Sequence, residues 1–411
     1  MHKVINTNNI NALDRFFNPK NVVVIGGGVW GKSIVFQLKK IGFSGRIFAI
    51  HPSEVDFCGC ETYRNISDLP SLIDAAFVGV NRKATVDIIL QLSKVNCGGA
   101  VCFASGYSEA VVELKDGYEL QRALIDAAGR MPILGPNCYG IINYFDSFCL
   151  WPDQHGGQRV DSGVAIITQS SNIMINLTMQ KRGLPIGYAV TAGNQAQLGL
   201  AELATNIVKD TRVTALGLYV EGLGSIRNFE KLVSLCDELG KAIVVIKIGK
   251  SEHAQLSAVS HTASLAGNDK GASALMKRLG VARVNSLSEF IETLKVFHCH
   301  GRLSGSSVAS VSCSGGEASL IADICNGSQL LFPKLTKEQT NGLNSALGAK
   351  VALANPLDYH TYIWGDASKM AQTFISIMQD KNIDIGIIIV DFPRSDFCDP
   401  DAWSCVVEAA V

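Results

Sequence analysis

The stretch NVVVIGGGVWG at residues 21–31 decides the fold, because a short apolar strand runs directly into a glycine-rich turn that opens a helix. Gly26, Gly28 and Gly31 give it the spacing GxGxxG. Glycines permit a tight turn, and they let backbone N–H groups at a helix N-terminus approach a phosphate. The stretch predicts a nucleotide-binding strand–turn–helix unit, and a glycine turn without a ligand is the alternative.

Further apolar runs extend this pattern through the first 150 residues. They lie at 46–50, 75–80, 99–104 and 132–134, with helix-length segments between them. Their continuous rather than alternating hydrophobicity is typical of strands buried on both faces of a parallel sheet. We therefore predict a first α/β domain over residues 1–150.

The alternation restarts after a segment rich in Gly, Pro and His at 151–160, which we interpret as a linker. Strands are predicted at 164–168, 186–191, 215–220 and 242–248, and helices at 201–209, 229–240 and 269–279. They define a second α/β domain over 161–295. A third unit, 305–411, has strands at 308–312 and 385–391, another near Val351, and a helix-like end at 401–411. A doubly wound sheet usually has about five strands, so we predict that this unit is incomplete or completed by another polypeptide. A short C-terminal lobe is the alternative.

The composition excludes several classes of protein. Hydrophobic residues make up 47% of the 411 residues, and 36 basic residues are balanced by 37 acidic ones, for a net charge of −1. A nucleic-acid-binding protein usually has a basic excess. Residues 1–17 lack the long apolar stretch expected of a signal peptide, and no apolar run reaches the ~18–20 residues that span a bilayer. The 12 cysteines include no CxxC pair. We predict a cytoplasmic protein with reduced thiols. It is expected to bind neither nucleic acid nor membranes and to contain no metal site.

Candidate binding residues follow the predicted strands of the first domain. The carboxyl ends of parallel strands line the ligand crevice of an open sheet. An NAD site would have an acidic residue after the second strand, where this chain has His51 and Pro52, so NAD is disfavoured. Arg82 is a candidate for a pyrophosphate or 3′-phosphate, with a solvated surface cation as the alternative. The predicted cofactor-binding residues are Gly26, Gly28, Gly31, Pro52, Asn81, Arg82, Ser105, Gly106 and Asn137.

The second domain contains candidates for phosphoryl chemistry. Gln169, Ser170 and Ser171 stand where a strand meets a helix, so they either cap the helix or hold a phosphate. His261 lies among small residues in a predicted loop, and a neutral imidazole accepts a phosphoryl group near pH 7. Glu221 follows the strand at 215–220, so it is predicted at the same sheet edge, where it would orient and stabilise the imidazole.

Several motifs in this order resemble the ADP-forming acetyl-CoA synthetases and, more distantly, the α-subunit of succinyl-CoA synthetase. They are residues 16–31, GPNCYG at 135–140, Gln169-Ser170, Gly193-Asn194, Glu221-Gly222, and SHT at 260–262 with LAG at 265–267. The resemblance implies a Rossmann-like coenzyme A-binding domain followed by flavodoxin-like domains. It also implies an acid–CoA ligase that works through an acyl phosphate and a phosphohistidine, His261, held by Glu221. The family uses ATP with Mg²⁺, and we predict that an ATP-grasp domain or subunit supplies the nucleotide site, in a homo- or hetero-oligomer.

The segment NPLDYHTYIWGD at 355–366 is unusually aromatic. Tyr362 and Trp364 are candidates for contacting a cationic substrate by cation–π attraction, and simple packing is the alternative. The segment resembles the branch that ligates betaines and dimethylsulfoniopropionate, including the ATP-dependent lyase that releases dimethyl sulfide. Two other functions stay open: a regulatory coenzyme A-binding domain like that fused to protein acetyltransferases, and an NAD-dependent oxidoreductase.

Overall fold

The fold is described from a computed structural model, in which residues 10–26, 28–53, 56–111, 113–251, 253–254, 269–394 and 396–411 are placed. The chain divides into two compact units, one ending at Arg302 and the other spanning Leu303–Val411. Within the described residues, no helix is long and apolar enough to cross a membrane.

The first unit contains two sheets. Its elements in chain order are α1 (Ile10–Phe17), β1 (Asn21–Gly26), α2 (Gly28–Ile41), β2 (Arg46–Ile50), β3 (Glu61–Tyr63), β4 (Ala75–Gly79), α3 (Arg82–Lys94), β5 (Ala100–Cys102), α4 (Gly117–Ala128), β6 (Ile133–Leu134), β7 (Ile141–Asn143), β8 (Phe148–Leu150), β9 (Gly163–Thr168), α5 (Ser171–Thr178), β10 (Ile186–Thr191), α6 (Leu200–Ile207), β11 (Val213–Val220), α7 (Ile226–Glu238), β12 (Ala242–Lys247), α8 (Asp269–Arg278), β13 (Ala282–Val284) and α9 (Leu287–His300).

The first sheet has six strands in the order β3-β2-β1-β4-β5-β6, and every neighbouring pair is parallel. Val23 lies at its centre, in register with Phe48 on one side and Ala76 on the other. The interior of β1 is fully buried because helices cover both faces of the sheet. The strands predicted from continuous apolar runs are confirmed here, and the α/β class with them.

The second sheet has seven strands in the order β13-β12-β11-β9-β10-β7-β8. Its hairpin β7–β8 pairs antiparallel with β10, although it precedes the predicted linker. The sheet boundary therefore differs from the domain boundary predicted at residue 150. Tertiary contacts explain the difference: the Tyr144 N–H donates to the Gly187 carbonyl (2.8 Å), and the Phe145 ring packs edge-on against Tyr188.

The predicted linker at 151–160 contains neither helix nor strand, but it is not a loose tether. Trp151 is fully buried, and its ring centroid lies 5.4 Å from that of Tyr139. The His155 ring is also buried, and burial lowers its pKa to about 4. These side chains pack the segment onto the core of the first unit.

The second unit contains a three-stranded parallel sheet. Its elements are β14 (Val308–Ser312), α10 (Gly315–Cys325), α11 (Lys337–Leu347), β15 (Leu357–Asp358), α12 (Ala367–Met378), β16 (Ile385–Ile388) and α13 (Ser404–Ala410), with β14 in the middle of the sheet. The prediction of a strand near Val351 was wrong, because that strand begins at Leu357. The Asn355 side chain accepts from the Ser310 N–H (3.1 Å) and donates to the Val308 carbonyl (2.8 Å), so it fixes where the chain joins β14.

Candidate functional site

The glycine turn after β1 brings backbone atoms unusually close together. A Cβ added at Gly31 would lie 2.2 Å from the Gly26 carbonyl oxygen, and one added at Gly26 would lie 2.5 Å from Val80 Cγ1. Gly26 and Gly28 also have φ values of +63° and +48°. Only glycine satisfies these demands at low cost. The turn delivers the N-terminus of α2, a favourable position for an anion, to the carboxyl end of the sheet.

The loop after β2 replaces the acidic residue of an NAD site with an aromatic contact. The His51 ring stacks on Phe57 with centroids 5.7 Å apart, and the Ser53 N–H donates to His51 Nδ1 (3.3 Å). Pro52 is exposed next to this pair. Position 51, directly after β2, therefore carries an imidazole rather than a carboxylate.

Three of the predicted residues in the next two loops lie together. Asn81 caps α3 by accepting from the Lys83 and Ala84 N–H groups (3.1 and 3.0 Å). Arg82 donates to the Gly106 carbonyl (2.7 Å) and pairs with Asp116 (2.8 Å), which lowers the pKa of that carboxyl. Arg82 thus joins the loops after β4 and β5. Ser105, beside Gly106, is exposed.

Glu109 is a buried carboxylate that the sequence reasoning missed. It accepts from the N–H groups of Gly106 (2.7 Å) and Tyr107 (3.1 Å), and from the side-chain amide of Asn194. It therefore fixes the loop after β5 and connects it to the loop after β10. The sequence feature that could have indicated Glu109 was its position soon after the strand predicted at 99–104.

The GPNCYG loop at 135–140 connects the two sheets. Asn137 has a φ of +57°, donates its backbone N–H to the Ala104 carbonyl (3.0 Å), and meets Asn194 side chain to side chain (3.4 Å). The Tyr139 N–H donates to the Ser171 and Thr191 hydroxyls (3.2 and 3.1 Å). The crevice residues of both sheets consequently lie along one continuous edge of the first unit.

The predicted phosphate-binding residues have three different structural roles. Ser170 caps α5 by accepting from the Ile173 N–H (3.5 Å), and Ser171 supports the GPNCYG loop. Gln169 is buried, and its side-chain carbonyl accepts from the N–H groups of Glu221 and Gly222, the latter at 3.1 Å. Its amide group donates to the Gly222 carbonyl (3.2 Å). Gln169 therefore clamps the backbone that carries Glu221.

Glu221 is buried at the carboxyl end of β11, as predicted for the sheet edge. Burial, and next the charge of Glu221, raises the pKa of the neighbouring Tyr219 hydroxyl. Lys247 ends the adjacent strand β12 and is also buried. Sequence reasoning missed it, although a charged residue closing an otherwise apolar strand was a usable signal. The predicted nucleophile His261 lies outside the described residues.

In the second unit, the two predicted substrate residues differ in exposure. Tyr362 is 68% exposed and stacks on His360 with centroids 5.4 Å apart. The Trp364 indole N–H donates to the Ala402 carbonyl (3.1 Å), and its ring lies edge-on to Trp403. The packing alternative therefore describes the observed contacts of Trp364, whereas Tyr362 leaves most of its ring accessible.

Two family models match successive parts of the chain. The CoA binding domain matches residues 20–144, and the succinyl-CoA ligase like flavodoxin domain matches residues 161–297. These matches agree with the glycine turn at the edge of the first sheet and with the parallel core of the second.

Curated relatives extend the similarity to most of the chain. A trans-feruloyl-CoA synthase from an unknown prokaryotic organism is 29% identical over 93% of this chain and 55% of its own length. The α-subunit of an ADP-forming acetate–CoA ligase II from Pyrococcus furiosus is 28% identical over 93% of this chain and 83% of its own. The chain thus spans about half of the first relative and most of the separate subunit.

Solved structures share the fold. The acetyl-coenzyme A synthetase 1 of Ca. Korarchaeum cryptofilum, in complex with phosphate and ADP, superposes with a TM-score of 0.83 at 23% identity, covering 97% of this chain and 86% of that one. The two family models and the curated relatives together make most of the chain similar to the nucleoside-diphosphate-forming acyl-CoA synthetases, and the solved structure shares their fold.

Proposed function

We propose that this chain is the coenzyme A-binding and phosphohistidine-bearing part of an ADP-forming acid–CoA ligase. The observation that carries the proposal is the placement of Glu221 at the end of β11, clamped by Gln169 and next to β12. The chain leaves β12 toward the segment that contains His261. The carboxylate and the imidazole are thus assigned to one sheet edge.

The first sheet supplies the proposed coenzyme A site. The close approach at Gly31 and the N-terminus of α2 fit a pyrophosphate that contacts backbone rather than long side chains. Arg82 is already paired with Asp116, so we assign it to loop positioning as well as to phosphate attraction. Bound coenzyme A would supply a thiol nucleophile.

The proposed reaction divides into three displacements. A ring nitrogen of His261 attacks the γ-phosphorus of ATP, and ADP leaves. The carboxylate of the acid then attacks the phosphorus, and the neutral imidazole leaves. Finally the coenzyme A thiolate attacks the acyl carbon, and phosphate leaves. Glu221 stabilises the positive charge that the imidazole carries while it is phosphorylated. We assign ATP and its Mg²⁺ to an ATP-grasp domain or subunit, by analogy with the relatives that are named as subunits.

The test is phosphorylation of His261. The protein is incubated with ³²P-labelled ATP, together with its ATP-grasp partner, and separately with ³²P-labelled acetyl phosphate. We expect an acid-labile, base-stable label that His261→Ala abolishes. His253→Ala, which removes another histidine of the same connection, is the matched control and should label normally. An acid-stable label, or a label that survives His261→Ala, would refute the mechanism.

We further propose that the acid is a small zwitterion, such as a betaine or dimethylsulfoniopropionate. The Lys350 ammonium lies 6.0 Å from the Tyr362 ring centroid, so this ring face is already suited to a cation. Asp358 and Asp391 add negative charge near Glu317; burial, followed by these two charges, raises the pKa of the Glu317 carboxyl.

Michaelis constants measured with different acids test this choice of substrate. Tyr362→Ala should raise KM for zwitterionic acids at least several-fold and leave KM for acetate unchanged, whereas Trp364→Ala should chiefly lower stability. Release of dimethyl sulfide from dimethylsulfoniopropionate would add lyase chemistry. Equal KM changes for acetate and the zwitterions would exclude a cation site at Tyr362.

A further inference from the structure

Lys247 is a buried lysine at the proposed phosphoryl-transfer site. Its side chain is 2% exposed, and it ends β12, whose other residues are all apolar. Placing an ammonium group in such surroundings is costly unless opposite charges and hydrogen bonds compensate for the lost water. A structural role alone would be met at lower cost by an apolar residue.

The charges around Lys247 come from three elements. Burial lowers the pKa of the Lys247 ammonium, and the carboxylates of Asp269 and Glu221 oppose this effect. Arg283 repels the ammonium, but Arg283 is itself paired with Asp269. The Lys247 Nζ–H also donates to the Ile248 carbonyl. Glu221 is one of the two carboxylates that compensate for the buried charge.

Backbone pairing explains why Lys247 and Glu221 are neighbours. Val220 on β11 is in parallel register with Lys247 on β12, and the Ile248 N–H donates to the Val220 carbonyl (3.0 Å). Glu221, the next residue, therefore lies beside the end of β12. Asp269 begins α8, so the two ends of the connection that contains His261 both lie near the Lys247 ammonium.

We propose that Lys247 is a positioning residue for phosphoryl transfer, whose ammonium keeps the buried Glu221 carboxylate ionised and in place to hold the imidazole of His261. This inference rests on the proposed function. A buried carboxylate without a cation nearby takes up a proton more readily. Protonated Glu221 would have no negative charge with which to stabilise a phosphorylated imidazole.

Replacing Lys247 by methionine therefore predicts a changed pH dependence. The length of the side chain is nearly kept and the positive charge is lost, so the Glu221 carboxylate should take up a proton more readily. The ionised form is the active one, and the acid limb of the phosphorylation rate should accordingly move to higher pH by about one pH unit or more. Lys247→Arg keeps a positive charge and should return the limb toward its wild-type position.

Lys241, which immediately precedes β12, provides a matched control at the opposite end of that strand. It is 8% exposed, burial lowers its pKa as well, and its ammonium donates to the carbonyls of Val208 and Asp210. The six residue steps from Lys241 to Lys247 span roughly 20 Å of extended chain. Lys241→Met removes a buried charge without touching Glu221, so the acid limb should stay in place.

The experiment measures the initial rate of acid-labile labelling from ³²P-labelled acetyl phosphate between pH 5 and 9, with the whole protein. Absence of label in the wild-type protein, both from acetyl phosphate and from ³²P-labelled ATP with the ATP-grasp partner, refutes the proposed function. A labelled wild type with an unchanged acid limb in Lys247→Met refutes only the role of Lys247. An equal shift in Lys241→Met would also overturn it.

A folding failure of Lys247→Met is resolved by a second variant. The double variant Lys247→Met with Glu221→Gln removes both buried charges, which should restore cooperative thermal unfolding. If the double variant also fails to fold, Lys247 serves the scaffold in general and the proposal is wrong.

Discussion

The clamp formed by Gln169 can be tested by replacing it with leucine. Gln169→Leu introduces an apolar side chain of similar size and removes the partners of three backbone groups: the N–H groups of Glu221 and Gly222, and the Gly222 carbonyl. All three belong to buried residues. A buried polar group left unsatisfied costs about 1–3 kcal/mol, so we expect a loss of about 3–5 kcal/mol after partial entry of water.

The assay is hydrogen exchange measured by mass spectrometry on peptides that cover β11 and the turn after it. A loss of 3–5 kcal/mol in opening free energy corresponds to a decrease in amide protection of roughly two to four orders of magnitude. The phosphorylation rate of His261 should fall in parallel, because Glu221 would no longer be held at the sheet edge.

Gln197 offers a control with the same kind of hydrogen bonding. Its side chain accepts from the Ile133 N–H (2.9 Å) and donates to the carbonyls of Gly129 and Met131 (3.2 and 3.1 Å). Gln197→Leu should loosen the start of β6 and leave phosphorylation unchanged. Wild-type protection at Glu221 in Gln169→Leu, or an equal loss of phosphorylation in Gln197→Leu, would refute the reasoning.

Three further perturbations follow from the structure. Gly31→Ala places a Cβ 2.2 Å from a backbone oxygen, so coenzyme A affinity measured by calorimetry should fall at least tenfold. Gly28→Ala adds a Cβ with no atom within 4 Å, so it should lower the free energy of unfolding by only about 1 kcal/mol, because of the φ of +48°. The Arg212 guanidinium holds the pKa of Asp146 below its ordinary value, so this pair stabilises the fold near neutral pH and the contribution is lost as pH falls below about 4; Asp146→Asn should unfold with a weaker acid dependence in urea titrations. Burial raises the pKa of the Cys97 and Cys102 thiols to about 12, so these thiols should react slowly with alkylating reagents at pH 8. Mass spectrometry should find the exposed Cys58, Cys299 and Cys398 modified first. Early labelling of Cys102 would contradict the described packing.

Most of the parallel strands could be predicted from the sequence, because strands buried on both faces require uninterrupted apolar residues. β2 and β10 have the predicted bounds, and β9 and β12 differ from prediction by one residue at one end. The hairpin β7–β8 could not be assigned to its sheet. Its residues are as apolar as those of the first sheet, and only pairing with β10 decides which sheet they join.

The candidate site was predictable where a local motif specifies a backbone shape. GxGxxG and the helix cap at Ser170 depend on nearest neighbours along the chain. Gln169 was predicted to bind phosphate, yet its hydrogen bonds go to residues more than 50 positions away. No local pattern encodes such a partner.

The sequence by itself determined the α/β class and the glycine turn, since each follows from residue type and short-range spacing. Only the tertiary structure decided which charges meet. Lys247 and Glu221 become neighbours because two parallel strands pair in one register, and Glu109 reaches Asn194 because two loops end at the same sheet edge. Burial and charge proximity depend on distance in space, and that distance is set by how the whole chain packs.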